Sequence, residues 1–258
     1  MHRVTTRLRF IEPQLASPVD QPPEGKHWIH EIKHDGYRCQ VLLERGKARV
    51  FTRNGHDWTD RYPSIVRAAA NLRCKTAILD GEAVVQDGNG ASDFDSLRSA
   101  MRWQPHSIIL YAFDLMHLGG KDLRQQSFTE RRANLQALIG TDAESRIQFS
   151  EEFHGNSAAF FKACADKGLE GIVSKHGLAP YRSGRSKTWL KTKCFTESTF
   201  VVVGTDRDPK TGALRALLGY NDSAGLRYAG AAFIALAGDE RAQFFAELER
   251  LATSLGLV

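Results

Sequence analysis

The chain has 258 residues, 42% of them hydrophobic, which is enough for one large domain or for a medium domain with a smaller one. Lysine and arginine outnumber aspartate and glutamate 35 to 30 and the isoelectric point is near 9.1, a balance that suits a phosphate-bearing partner. No run approaches the roughly 20 apolar residues a membrane span needs, and the four cysteines form no Cys-x-x-Cys pair, which argues against structural zinc and for free thiols in a reducing compartment.

Residues 1 to 27 open with basic and apolar residues and turn loop-like at Pro18, Pro22, Pro23 and Gly25, a lead-in expected to pack over the first strand. No apolar run there resembles a signal peptide, so a soluble, cytoplasmic protein is expected. Trp28 to Lys33 reads as a strand, Asp35-Gly36 as a turn and Tyr37 to Leu43 as the second arm of a hairpin. Lys47 to Thr52 reads as a third strand ending in the turn Arg53-Asn54-Gly55. Pro63 to Leu72 has a helical start and an alanine-rich body, and Ala77 to Gln86 is an apolar strand around Asp80-Gly81-Glu82. A short helix follows over Phe94 to Met101, then a buried strand over Ser107 to Leu115. Two helices are expected near Thr129 to Ile139 and Ser157 to Lys167, and two more strands over Gly171 to Lys175 and Lys187 to Lys193.

From about Phe195 the texture changes. Val201 to Val203, Ala216 to Tyr220 and Leu226 to Ala232 read as three strands separated by Asp-Pro-Lys-Thr-Gly and Asn-Asp-Ser-Ala-Gly turns, and a charged helix from about Asp239 to Ala252 closes the chain. The expectation is two domains, 1–194 and 195–258.

The stretch around Lys33 holds the most chemistry. Alternation along a strand puts Glu31 and Lys33 on one face. The same residues spell His30-Glu31-x-x-His34, a zinc-peptidase signature that needs a helix to bring both histidines to one metal. On a strand the two would stand about 13 Å apart, and Gly36 argues against a helix, so the metal reading is set aside.

Five further clusters could act with Lys33. Asp80 and Glu82 share a strand face and suit a divalent metal or a ribose. Glu170 opens the strand that ends in Lys175, an ordinary charged strand unless it borders a site. Lys191 and Lys193 stand about 6–7 Å apart on one face, which is unfavourable unless water or an anion such as phosphate lies between. Arg53 in its turn is either another phosphate contact or simply exposed, as an isolated turn arginine usually is, and Phe113 is either core or a stacking surface. A P-loop is absent: Gly184-Arg185-Ser186-Lys187-Thr188 lacks the Gly-Lys pair, and no third glycine completes Gly88-Asn89-Gly90. A nucleotide would have to be held by side chains on strands.

The ordered set Lys33-x-Asp35-Gly36, Arg53-Asn54-Gly55, Asp80-Gly81-Glu82, Phe113-Asp114, Glu170-Gly171-x-Val173-x-Lys175 and Trp189-x-Lys191-x-Lys193 resembles the motif series of ATP-dependent DNA ligases. More narrowly it resembles the ligase module of bacterial end-joining ligase D, including the lead-in Phe10-Ile11-Glu12-Pro13 and the stretches Leu218-Gly219-Tyr220 and Arg227-Tyr228-Ala229-Gly230. The resemblance implies an α+β nucleotidyltransferase (adenylation) fold of two antiparallel sheets flanked by helices, followed by a partial OB-like β unit. It implies that Lys33 carries AMP and that Glu31 and Phe113 face adenine. Arg38 and Arg53 would lie on the ribose or phosphate side, Glu82 and Glu170 would serve ribose and Mg²⁺ (or Mn²⁺), and Lys175, Lys191 and Lys193 would surround the phosphates. It further implies a monomer acting on nicked or broken duplex DNA beside other end-joining proteins.

The chemistry needs these residue types. A lysine is nucleophilic only when neutral, and with an ordinary pKa of about 10.4 its deprotonation at pH 7.4 costs roughly 4 kcal/mol. Nearby cations and partial desolvation lower that cost. One departure stands out: the family's second domain ends in a basic motif that orients pyrophosphate, and no such motif is found in Phe195 to Val258, where three strands are counted against the five of an OB-fold. Slow reaction with ATP is expected on that ground. The rival readings are an RNA ligase or capping-type nucleotidyltransferase, and a non-catalytic DNA-end-binding protein.

Overall fold

The computed structural model describes residues 7–194 and 199–254. In chain order the strands are β1 (Gln14–Pro18), β2 (Trp28–Ile32), β3 (Tyr37–Glu44), β4 (Lys47–Thr52), β5 (Thr76–Val84), β6 (Ile109–Leu118), β7 (Lys121–Asp122), β8 (Ile147–Phe149), β9 (Glu152–Phe153), β10 (Gly171–His176), β11 (Gly184–Lys193), β12 (Val201–Arg207), β13 (Leu214–Asp222) and β14 (Gly225–Phe233). The helices are α1 (Pro63–Ala70), α2 (Phe94–Trp103), α3 (Phe128–Ile139), α4 (Ser157–Asp166) and α5 (Gly238–Ser254). The chain divides into two compact units, residues 1–195 and 196–258. The expected boundary at residue 195 falls among residues 195–198, outside the described residues.

Unit 1 contains two sheets. One has the order β1-β11-β10-β2-β9; the other has the order β4-β3-β5-β6-β7, with β8 beside β6. Pairing is antiparallel except for β1 with β11 and β6 with β8. The second sheet is buried on both faces, which explains why β3 carries five buried residues in succession instead of an alternation. Val41, Leu43, Val50, Leu79 and Leu110 pack with Ile65 of α1 and Leu97 of α2. On the opposite side Leu42, Ile78 and Met116 join Ile29, Phe128, Tyr181 and Trp189 in a second core.

The expected hairpin at Lys33 does not form. β2 pairs with β10 and β9 in one sheet, while β3 pairs with β4 and β5 in the other. Residues 33–36 are therefore a crossing between sheets. Gly36 makes the crossing feasible, because a Cβ there would lie 2.2 Å from the Ala83 carbonyl oxygen. The lead-in is also more ordered than expected, since Gln14–Pro18 forms the edge strand β1, a position that tolerates proline. The short strands β7, β8 and β9 have too few residues to show a period.

Unit 2 is an antiparallel sheet in the order β12-β13-β14 with the helix α5. Among the described residues it has three of the five strands of a complete OB-fold.

Candidate active site

Lys33 emerges where β2 ends. Its backbone N–H donates to the Gly171 carbonyl at 2.9 Å, and its Nζ donates to Oε2 of Glu170. Glu170 also lies 3.2 Å from Lys193 Nζ. Gly171 allows this approach, with φ at +142° and a position where a Cβ would stand 2.2 Å from the Thr192 carbonyl oxygen. Antiparallel pairing sets Gly171 opposite Lys193 and Val173 opposite Lys191, so Lys193 borders the carboxylate and Lys191 stands two residues along the same strand.

Beside this pair lies a cavity of about 220 Å³, lined by Glu31, Lys33, Arg38, Arg53, Glu82, Phe113, Lys175 and Lys191, together with residues that include His34, Arg185 and Trp189. Eight of the ten expected residues line it, and the other two, Glu170 and Lys193, adjoin it through Lys33. No length of chain in isolation would show this convergence, because six strands, the residue that follows β2 and one turn supply the residues.

Phe113 reaches the cavity through a bulge. Asp80 pairs with Asp114 and Gly81 with Ala112, leaving Phe113 without a partner on β5, and a bulged residue is re-aimed. Its ring stands edge-on to Trp189 with centroids 6.0 Å apart.

Two of the expected residues have partners that the sequence did not show. Lys175 pairs with a different carboxylate from Lys193. It is buried, pairs with Trp189 four steps along β10 from Gly171, and its Nζ lies 2.9 Å from Glu31 Oε1. The rings of Phe113, Trp189 and Phe128 surround that ammonium at 4.0, 4.4 and 5.0 Å from their centroids. Burial pulls its pKa down to about 8, against the opposing pull of Glu31. Lys175 thus belongs with Glu31 and Phe113. Arg38, expected on the ribose or phosphate side, donates through Nε and Nη2 to both oxygens of Asp80 at 3.0 and 2.7 Å, and through Nη1 to the Gln14 carbonyl at 2.7 Å. Asp80 also accepts from the Tyr181 hydroxyl at 2.8 Å. Arg38 is consequently a fixed wall with only two N–H groups left over.

Glu82 differs from Asp80, two residues before it on β5. It has no hydrogen-bond or ion-pair partner among the described residues, and burial raises its pKa to about 8, with Arg38 and Lys33 pulling the other way. Such a carboxylate is suited to a ligand or a cation. Burial comes first, then Lys33, Lys193 and Arg185, in depressing the Lys191 pKa. That is the like-charge cost expected of paired lysines, and an anion between them would relieve it. The His34 ring stacks on Tyr111 at 4.2 Å, and burial with Lys175 and Lys33 lowers its pKa to about 4, so it is neutral at pH 7.

His30 is on a strand, with Nδ1 2.8 Å from Ser174 Oγ, and no cluster of three or more metal-ligating side chains exists among the described residues. The zinc signature is coincidental. Sequence reading missed the arginines of α3. Arg131 and Arg132 are buried, yet adjacent charges on a helix ordinarily read as a solvated face.

A lysine held against a carboxylate, in a cation-rimmed cavity between two sheets, is the arrangement expected of a covalent nucleotidyltransferase. The model of the ATP dependent DNA ligase domain matches residues 13–193. The chain belongs to the ATP-dependent DNA ligase family. It is 42% identical over 235 residues to the multifunctional non-homologous end joining protein LigD of Pseudomonas aeruginosa, covering 88% of this chain and 28% of that protein. It is 30% identical to LigD of Mycobacterium tuberculosis, covering 80% of this chain and 27% of the relative, so it spans about a quarter of the length of either. Among solved structures it is similar to mycobacterial DNA ligase D complexed with ATP and MES, with a TM-score of 0.65 at 30% identity over 95% of this chain and 77% of that one. The ligase domain of M. tuberculosis LigD gives 0.64 at 30% identity over 88% and 74%. No helix among the described residues is long and apolar enough to cross a membrane.

Proposed function

We propose that this chain is a DNA ligase core that carries AMP on Lys33 and seals nicks in duplex DNA during end-joining repair. Residues 1–194 would form the adenylation domain and residues 195–258 an OB-like unit. The observation that carries this reading is the Lys33–Glu170 pair at the rim of a cavity shared with Glu31, Arg53, Glu82, Phe113, Lys175 and Lys191.

ATP would lie with its base toward Phe113, Glu31 and Lys175 and its phosphates toward Lys191, Lys193 and Arg53. The Nζ of Lys33, once deprotonated, attacks the α-phosphorus; a P–N bond forms and pyrophosphate leaves. A 5′-phosphate oxygen at the nick next attacks the same phosphorus, breaking the P–N bond and moving AMP to the DNA. The adjoining 3′-hydroxyl then attacks the 5′-phosphorus and expels AMP. Glu170 holds the Lys33 ammonium in place, and the rim cations meet the charge of the phosphates.

Mg²⁺, for which Mn²⁺ could substitute, fits the donor set: Glu82, without an ion-pair partner among the described residues, and the neighbouring Glu170 would supply one or two carboxylates, and the nucleotide phosphates would complete its shell. When bound, it would neutralise charge on the pyrophosphate.

The test is intact mass after incubation with each nucleoside triphosphate and Mg²⁺. One added AMP mapped to Lys33, absent from Lys33→Ala, is the expected result. An adduct on Lys175, Lys191 or Lys193 overturns the assignment. If neither an ordinary nor a pre-adenylated nick is sealed at low salt, the chain is a DNA-end-binding module instead.

A further inference from the structure

Two adjacent arginines of α3 reach into the two sheets that form the nucleotide cavity. Arg131 donates through Nε and Nη2 to Asp114 at 2.7 and 2.9 Å and through Nη1 to the Gln126 carbonyl at 2.8 Å. Both members of that pair are fully buried, and the tie anchors α3 to β6. Arg132 points to the other sheet. Its Nη1 donates to Glu31 Oε1 at 2.9 Å, its Nη2 to the Ser150 carbonyl at 2.6 Å and its Nε to Glu152.

Glu31 and Glu152 are direct cross-strand partners on β2 and β9. Two carboxylates opposite one another repel, so this pairing depends on a cation between them. Arg132, 3% exposed, is that cation. The same carboxylate also carries Lys175, 2% exposed, whose Nζ lies 2.9 Å from Oε1 and 3.0 Å from Oε2, and Oε2 accepts from Ser150 Oγ at 3.1 Å. The result is a buried alternation, Lys175, Glu31, Arg132, Glu152, that sums to no net charge. Its inner end is in the wall of the nucleotide cavity and its outer end is at the surface, where His154 Nε2 lies 2.9 Å from Glu152 Oε1.

Three features show that this alternation sets position as well as packing. Lys175 has aromatic rings on several sides and a single carboxylate, Glu31, to fix where its ammonium points. Glu31 in turn accepts from Nη1 of Arg132, and two more of the five N–H groups of that arginine donate to groups fixed in β9 and its approach. A lysine in place of Arg132 would keep the charge but could not bridge both carboxylates and the carbonyl at once.

We propose that Arg132 is a positioning residue for nucleotide recognition: by bridging Glu31 and Glu152 it holds the Lys175 ammonium at the base end of the cavity. The inference rests on the reading of that cavity as the ATP site. An ammonium only donates hydrogen bonds. A purine edge offering an acceptor to Lys175 is therefore favoured over one presenting N–H, as adenine N1 differs from guanine N1. Displacement of Lys175 should cost base selectivity and nucleotide affinity and leave the chemistry at Lys33 largely intact.

The experiment measures KM and kcat for Lys33 adenylation with ATP and with GTP, alongside melting, in wild type, Arg132→Met, Arg132→Lys, Glu152→Ala, Lys175→Met and the double variant Arg132→Met/Lys175→Met. Arg132→Met is expected to raise KM for ATP about tenfold with kcat within about threefold, and to reduce the ATP-to-GTP preference by a similar factor. Arg132→Lys should recover part of both losses. Adding Arg132→Met to Lys175→Met should change KM little, because the two act as one unit. Glu152 is 32% exposed, so Glu152→Ala tests the outer end of the bridge where Arg132→Met does not fold; it should raise KM about threefold. Unchanged KM and base preference in a folded Arg132→Met, or in Glu152→Ala if the former is unfolded, overturns the proposal. So does a fall in kcat alone. Failure of the underlying reading looks different: wild type takes no label, or Lys33→Ala labels as well as wild type.

Discussion

Lys33 and Glu170, 137 positions apart in the chain, share a hydrogen bond because β2 and β10 pair with Ile32 opposite Ile172. The contact occurs at the end of the pairing, where the chain leaves one sheet for the other. Lys33 is thus held at its backbone by Gly171 and at its side chain by Glu170, while its neighbours are already changing direction.

Replacing Glu170 with alanine should remove adenylation and leave the fold. The carboxylate is partly exposed, so its removal releases two ammonium groups to solvent instead of stranding a buried charge. A loss of 10²-fold or more in label formation with melting within about 3 °C of wild type is expected. Parental labelling in a folded variant would remove Glu170 from the site.

Asp80 should behave in the opposite way. Fully buried, it takes both arms of Arg38 and the Tyr181 hydroxyl, so Asp80→Ala leaves a guanidinium without its counter-charge. Breaking a buried pair in this manner costs about 3–5 kcal/mol. Urea unfolding should show that loss directly, and a change below about 1 kcal/mol would mean that water reaches Arg38.

Glu82 should make both stability and metal use depend on pH. Its ordinary pKa of 4.5 is raised to about 8 in the folded chain, so between those values the folded state keeps a proton that the unfolded state has released. Stability from this group is present below about pH 4.5 and is lost as pH rises toward 8. Without nucleotide or metal, the melting temperature of Glu82→Gln should gain on that of wild type as pH increases from 5 to 8.5. Adenylation by wild type should need less Mg²⁺ at pH 8.5 than at 6.5, a dependence that Glu82→Gln should lack. Parallel melting profiles would show that Glu82 ionises normally.

Gly36→Ala should destroy fold and activity together. The new methyl group would meet backbone, the Ala83 carbonyl at 2.2 Å, and not a side chain able to move. A cost at or above the upper end of the roughly 1–3 kcal/mol typical of overpacking follows, because the strand it meets is fixed. A soluble variant with wild-type melting and label formation would show that the crossing can shift.

The sequence determined the types of residue, most strand and helix positions and, through six ordered motifs, the family. Local spacing was sufficient for β4, β6, α3 and α4, whose periods or flanking turn residues are intrinsic to short windows. It also disposed of the zinc signature, since four strand steps cannot bring His30 and His34 to one metal. Tertiary structure alone decided that the residues after Lys33 cross between sheets instead of turning back, because strand partners lie far away in sequence and no local pattern names them. It also divided the charged residues by role. Arg38 and Asp80 neutralise each other in the wall, Lys175 is drawn to Glu31, and Glu82 is left without a hydrogen-bond or ion-pair partner among the described residues. A charge gains its function from what desolvates it and what lies within a few ångströms, and both are fixed only when distant segments pack.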